Sequence, residues 1–148
     1  MKPKEVVTEF VRRCDGALSG SGGGDPYELL AEDVELRVQG RTVLAGDYPS
    51  REIVKMVLVG GLESRVAKAH VAIDSIIADG NKVAAMLRTT GETTDGKIYN
   101  PKGDPGGCIF MVSGDEISKI LLFLDNTMVE TVLFGRRYVA PTQAAESS

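Results

Sequence analysis

Histidine occurs once in this chain of 148 residues and cysteine twice, which leaves little room for metal or disulfide chemistry. The two thiols, Cys14 and Cys108, make no disulfide framework, and free thiols fit a reducing cytoplasm. Asp, Glu and His do not cluster at metal-ligand spacing, so no metal is expected. Clustered cations are missing too. The net charge is -4, and Arg12-Arg13 and Arg136-Arg137 are the only basic doublets, which argues against nucleic acid or an anionic membrane as the main partner. No apolar run approaches the roughly 20 residues of a membrane helix, and the start "MKPKEVV" has no hydrophobic signal core. "NPKGDPGG" lacks the Gly-x-x-x-x-Gly-Lys-Ser/Thr order of a phosphate loop, so it reads as a shaped rim without a nucleotide, and no cofactor is expected.

What the chain does contain suits one domain. Hydrophobic residues make up 43% and charged residues 26%, the balance of a soluble globular protein with a single core and no internal repeat. Residues 1–137 read as that domain. Residues 138–148, which end in "APTQAAESS", read as a flexible tail.

Val7, Phe10, Val11, Cys14 and Leu18 recur at helical spacing and predict a helix from about Lys4 to Leu18. "SGSGGG" follows as a flexible link. Asp25 then caps a short helix carrying Leu29 and Leu30, with Pro26 at its first position and Glu28 as capping-box partner. In "VELRV", Val34, Leu36 and Val38 alternate with Glu35 and Arg37 as in a strand. Ser50 caps a third helix, "REIVKMVLV", which Gly60-Gly61 ends. Four apolar-rich strands come next: "KAHVAIDSIIA", "KVAAMLRTTGE", "GGCIFMVS" and "EISKILLFLD". "DGN" and "SGD" make tight hairpins, and "TDGKIYNPKGDPGG" makes a longer crossing. Thr127 opens a last short helix with Glu130 as capping-box partner; Asp125 supports its N-terminus and Gly135 stops it.

This order gives an α+β fold, an antiparallel sheet with helices on one face. In "ISKILLFLD" both alternating sets are apolar, Ile120, Leu122 and Leu124 against Leu121 and Phe123. A strand apolar on both faces needs a cover on each. The helices supply one, so a homodimer through the outer sheet face is expected to supply the other.

Four stretches, "LLAEDVELRV", "SREIV", "IIADGNKVAA" and "GDEISKILLFLDNTMV", carry in their order and spacing a resemblance that spans about Glu5 to Gly135. The chain resembles the nuclear transport factor 2-like superfamily, and within it the SnoaL-like and limonene-epoxide-hydrolase-like branches. The resemblance implies a cone: a strongly curved sheet and the first helices around a deep apolar pocket. It says little about the reaction, since one fold hosts many functions.

The histidine, His70, lies in "AKAHVAIDSII", where Val71, Ile73 and Ile77 point one way and His70, Ala72 and Asp74 the other. If "DGN" is a three-residue loop, the His70 face shares partners with Met86, Arg88 and Thr90; if only Gly80 and Asn81 form the loop, the partners become Leu87 and Thr89. Matching the epoxide-hydrolase branch favours the first register and points His70 into the cone. The pocket wall is then expected from Leu36, Val38, Asp74, Met86, Thr90, Tyr99, Cys108, Phe110, Leu122 and Leu124. The epoxide-hydrolase carboxylates are missing, because their places hold Met86, Arg88 and Leu122. The ketosteroid-isomerase set is missing as well, its places matching Val38, Cys14 and roughly Gly107.

A third set remains. In dehydratase members a histidine on the second strand is the base, paired with a carboxylate at the end of the first helix; His70 and Asp15 match those places. A neutral imidazole can abstract a proton near pH 7, a carboxylate would fix its tautomer, and Arg88 would stabilise an enolate or alkoxide or bind a substrate carboxylate. A lone strand histidine is more often a structural hydrogen-bonder. Cys108 reads as an inert buried thiol. The expectation is therefore a small cofactor-independent isomerase, cyclase or dehydratase acting on an apolar molecule with His70, Arg88 and Asp15. The alternative is a non-catalytic module of the same fold that binds an apolar ligand or mediates assembly.

Overall fold

The structure, a computed structural model, describes residues 1–136. Arg137 and the tail expected over 138–148 lie outside the described residues. Pro3–Ser19 form α1, whose Val6, Val7, Phe10 and Val11 are buried along one stripe. Gly20, with φ 76°, ends the helix in the left-handed region.

The glycine segment expected as a loose link packs back on α1 instead. The Gly22 N–H donates to Gly16 O at 3.2 Å, and a Cβ on Gly16 would stand 1.8 Å from Gly22 O. Arg12 and Arg13, both held by Glu9, donate to the Gly23 and Asp25 carbonyls at 2.9 and 3.0 Å. The missing side chains serve close approach as much as freedom. Asp25 caps the 3-10 turn Pro26–Leu29 by accepting the Tyr27 N–H, whereas Glu28 turns to Arg13 and Leu30 already belongs to the next strand.

The strands are β1 (Leu30–Gln39), β2 (Gly46–Pro49), β3 (Val66–Asp79), β4 (Lys82–Thr93), β5 (Ile98–Tyr99), β6 (Pro105–Ser113) and β7 (Glu116–Phe123). Their order across the sheet is β2-β1-β7-β6-β4-β3, with β5 on β4. The sheet is mixed, which corrects the all-antiparallel expectation: β1 and β7 run parallel, with Leu36 opposite Ile120 and Val38 opposite Leu122. Parallel neighbours need a long crossover, and everything between β1 and β7 forms it. Bulges interrupt the β1–β7, β3–β4 and β6–β7 ladders. Each adds bend and twist to its strand, and together they curl the sheet into a cone over α1. The core packs within that curl, with Phe110, Leu30, Leu36 and Ile117 fully buried. Phe10 meets Phe110 edge to face at 6.0 Å.

Two helix ends depart from the sequence reading. Ser50 caps α2 (Arg51–Met56) as the sequence suggests, but Gly60-Gly61 do not end it. The chain continues as a π-helical turn, Val57–Leu62, and a 3-10 turn, Glu63–Arg65. Gly61 allows a tight passage here, because a Cβ on it would stand 2.9 Å from Leu44 Cδ2. At the other end Asp125, not Thr127, caps α3 (Asn126–Met128), accepting the Met128 N–H at 3.0 Å. Glu130 is no capping-box partner; its Oε1 accepts the Val43 N–H at 2.8 Å.

Candidate functional site

Along β4, Val83, Ala85, Leu87 and Thr89 alternate inward, and the lengthened α2 segment brings Leu58 and Leu62 over them. Leu87, Thr89, Leu58 and Leu62, with Phe10, Cys14 and Leu18 of α1, border a partly open chamber of about 170 Å³. Leu36, Thr90, Tyr99, Cys108, Phe110, Leu122 and Leu124 also border it. Among the described residues no Lys, Arg, His, Asp or Glu does. Burial pushes the Cys14 thiol up to about 12, with the Glu63 charge adding to the effect. Burial likewise raises the Cys108 thiol and the Tyr99 hydroxyl, the latter helped by Asp125. These three groups on the chamber wall are therefore neutral near pH 7, because a low-dielectric wall disfavours the charged form.

A second, more polar recess of about 320 Å³ adjoins this chamber and shares Leu87, Thr89, Tyr99, Leu122 and Leu124 with it. Its outer wall comes from the crossing loop before β6 and the end of β7, with Asn100, Asp104, Phe123 and Asp125.

The expected catalytic set sits elsewhere. Ala69 and Val71 border the chamber, and His70 between them points out; its side chain is 68% exposed. The Asp15 carboxylate does reach it, with Oδ1 3.2 Å from His70 Nδ1, but the same oxygen accepts the Val71 N–H at 3.0 Å. β3 is an edge strand, so Asp15 satisfies a backbone donor that no neighbouring strand takes. Arg88 lies on the outer face as well. Its Nε donates to Asp74 Oδ1 at 2.7 Å and its Nη1 donates to Gly103 O, which straps the crossing loop to the sheet. Met86 is also outside and 39% exposed. Val38 is buried in the core without bordering the chamber. His70, Arg88, Asp74 and Met86 are thus removed from the cone wall, and a base and an oxyanion partner drawn from them cannot reach a ligand inside it.

The physical reason is parity. Asp79 pairs with Lys82, so Gly80-Asn81 form a two-residue loop, yet a bulge at Asp74 shifts the ladder by one. Beyond it His70 faces Thr90 and Ala72 faces Arg88, the partners of the three-residue register, but on the convex side. The bulge also splits the apparent alternation. Ile73 and Ile76 pack on the core, whereas Ile77 is turned out and 70% exposed.

Phe10, Cys14, Leu18, Leu58, Leu62, Leu87 and Thr89 are among the wall residues that sequence reasoning missed. Leu87 and Thr89 belong to the apolar set of β4, and that set was a signal for the inner face. Among the described residues no group of His, Cys, Asp and Glu is placed to hold a metal, and no helix is long and apolar enough to cross a membrane.

No protein-family model matches the chain, and no curated protein matches it. Solved structures do. A nuclear transport factor 2-like protein of unknown function from Burkholderia pseudomallei superposes with a TM-score of 0.69 at 14% identity, covering 90% of this chain and 98% of the other. A candidate SnoaL-like polyketide cyclase from Jannaschia superposes at 0.67 and 16% identity, covering 90% and 95%. A Catenulispora acidiphila protein with a ketosteroid isomerase-like fold, solved in complex with trimethylamine, superposes at 0.63 and 16% identity, covering 89% and 98%.

Proposed function

From the nuclear transport factor 2-like fold of this chain we propose that the protein binds a small, mainly apolar molecule inside the cone. The chamber itself carries this reading. The chamber is partly open, and its apolar wall left against water forgoes the ~25 cal/mol per Å² that burial would give. Interiors ordinarily close such gaps, and an occupant recovers the lost contacts. In another protein an apolar cavity of about 150 Å³ takes up benzene, so a single ring with a short substituent is the scale of ligand that fits. The wall offers hydroxyls and neutral thiols for orientation and no fixed charge. The reading needs no cofactor, and free thiols at Cys14 and Cys108 go with a cytoplasmic location.

Thermal unfolding with single-ring compounds tests it. Binding should raise the melting temperature of the wild type. Ala69→Leu, placed on the chamber wall, should raise the ligand-free melting temperature and erase the ligand shift. If Ala69→Leu stabilises the protein while no compound shifts the wild type, the chamber is only a packing defect.

One observation favours a second reading, an isomerase or cyclase type of acid–base enzyme. Tyr99 stands where the apolar chamber meets the recess holding Asp125, so a phenol and a carboxylate border the same recess. The Jannaschia protein named as a candidate polyketide cyclase supports this direction. Product analysis of a bound compound separates the two readings, because Tyr99→Phe would then abolish its conversion with the melting shift largely kept.

The outer face belongs to the proposal too. Met86 and Phe123 are 39% and 42% exposed, and Phe123 lies over the bare backbone of Gly107 next to Met86. Outward-facing charges of both signs, Arg37, Lys119, Glu35 and Asp47, flank the apolar stripe on β1, β2 and β7. A second copy of the chain fits this pattern, because a two-fold interface pairs one patch with itself.

A further inference from the structure

Tyr99 belongs to both cavities. β5 turns Ile98 out to solvent and Tyr99 in, leaving Tyr99 8% exposed. Its hydroxyl has no hydrogen-bond partner among the described residues and is not sealed from the cavity space. A buried phenol normally finds a partner; here the open positions for one lie in the two cavities.

The recess beyond Tyr99 carries charge of one sign. Asp104 and Asp125 stand in its wall, and among the described residues no Lys, Arg or His does. Asp125 Oδ1 accepts the Met128 N–H at 3.0 Å, so its second oxygen is left for other donors. Arg88 reaches the same loop at Gly103 but is held by Asp74 on the convex side. The acidic wall is also held in position. Asn100 Nδ2 donates to Thr89 O and Asp104 O at 2.8 and 2.9 Å, and Asn100 Oδ1 accepts the Asp104 N–H at 3.1 Å.

We infer that the ligand is a small protonated amine, its apolar body in the 170 Å³ chamber and its nitrogen in the recess beside Tyr99, Asp104 and Asp125. The inference rests on the reading of the cone as a ligand pocket. An ammonium there meets two carboxylates, and the Tyr99 hydroxyl oxygen accepts one of its protons. The ring of Tyr99 adds the attraction of an aromatic face for a cation. A carboxylate ligand would meet two like charges and a single donor. A neutral alcohol could donate one hydrogen bond to an acid but would lack the attraction between opposite charges.

Three compounds of one shape test this: cyclohexylamine, cyclohexanol and cyclohexanecarboxylate, titrated by calorimetry at pH 7 and low salt. The amine should bind about ten-fold tighter than the alcohol, since hydrogen bonds to charged groups are the stronger class, and the carboxylate should bind weakest. In the double variant Asp104→Asn with Asp125→Asn, that preference should vanish while the folded protein still binds the alcohol; asparagine keeps the helix cap that Asp125 provides. Equal binding of amine and alcohol, tighter binding of the carboxylate, or a preference that survives in the double variant overturns the inference and leaves the pocket standing. Binding of none of the three to folded protein overturns both.

Discussion

Asp15 Oδ1 accepts the Val71 N–H at 3.0 Å and stands 3.2 Å from His70 Nδ1, so one carboxylate on α1 closes the free edge of β3 beside the only histidine. The relationship binds helix to sheet and lies outside the cone.

The two partners should therefore behave differently on substitution. Asp15→Ala leaves a strand amide without its acceptor and should cost about 1–3 kcal/mol in urea unfolding, with faster hydrogen exchange at Val71. His70→Ala removes an exposed ring and should fall within about 0.5 kcal/mol of wild type, with ligand affinity unchanged. A larger loss from His70 than from Asp15 would contradict the edge-closing role.

Acid should loosen the glycine segment through Glu9. The Arg12 guanidinium, and then that of Arg13, holds the Glu9 carboxyl down from the usual 4.5 to about 2. A carboxyl lowered in the folded state adds stability above its unfolded value, and that contribution is lost as the pH falls from 4.5 toward 2. Melting temperatures across that window should fall less steeply for Glu9→Gln than for wild type. Identical slopes would show that the cluster is too well solvated to matter.

The outer sheet face should hold two copies together. Wild-type protein at micromolar concentration is expected to sediment as a dimer and Leu121→Glu as a monomer with its melting behaviour largely kept. A monomeric wild type, or a dimer indifferent to Leu121→Glu, counts against this interface.

Much of the cone was legible because local and long-range signals agree. The α1 stripe through Val7, Phe10 and Val11, the caps at Asp25 and Ser50, and the paired β3–β4 and β6–β7 runs each restrict the chain in the same direction. The site was less legible, because sidedness in a strand depends on parity and one bulge reverses it. Nothing in "AIDSII" marks Asp74 as the extra residue; the composition is ordinary for a strand. A surer guide to the face was the apolar set itself, since Ala69, Val71 and Ile73 alternate with His70 and Asp74 and match Leu87 and Thr89 across the ladder. The parallel β1–β7 pair and the π-helical continuation of α2 come from tertiary packing, which spacing in the sequence does not encode.

The parallel pairing of β1 with β7 also sets the order in which the molecule can form. β3, β4, β6 and β7 follow one another closely in sequence and can pair without waiting for the rest of the sheet. β1 and β2 can join them only through β7, which stands between β1 and β6, after most of the chain has left the ribosome. Contacts so distant in sequence are slow to close. Until they do, Leu36 and Ile120, which later share one wall, face solvent. The chamber is thus expected to form in a late step of folding, and a chain that stops before residue 116 holds most of the apolar wall without the strand that joins β1 to β6.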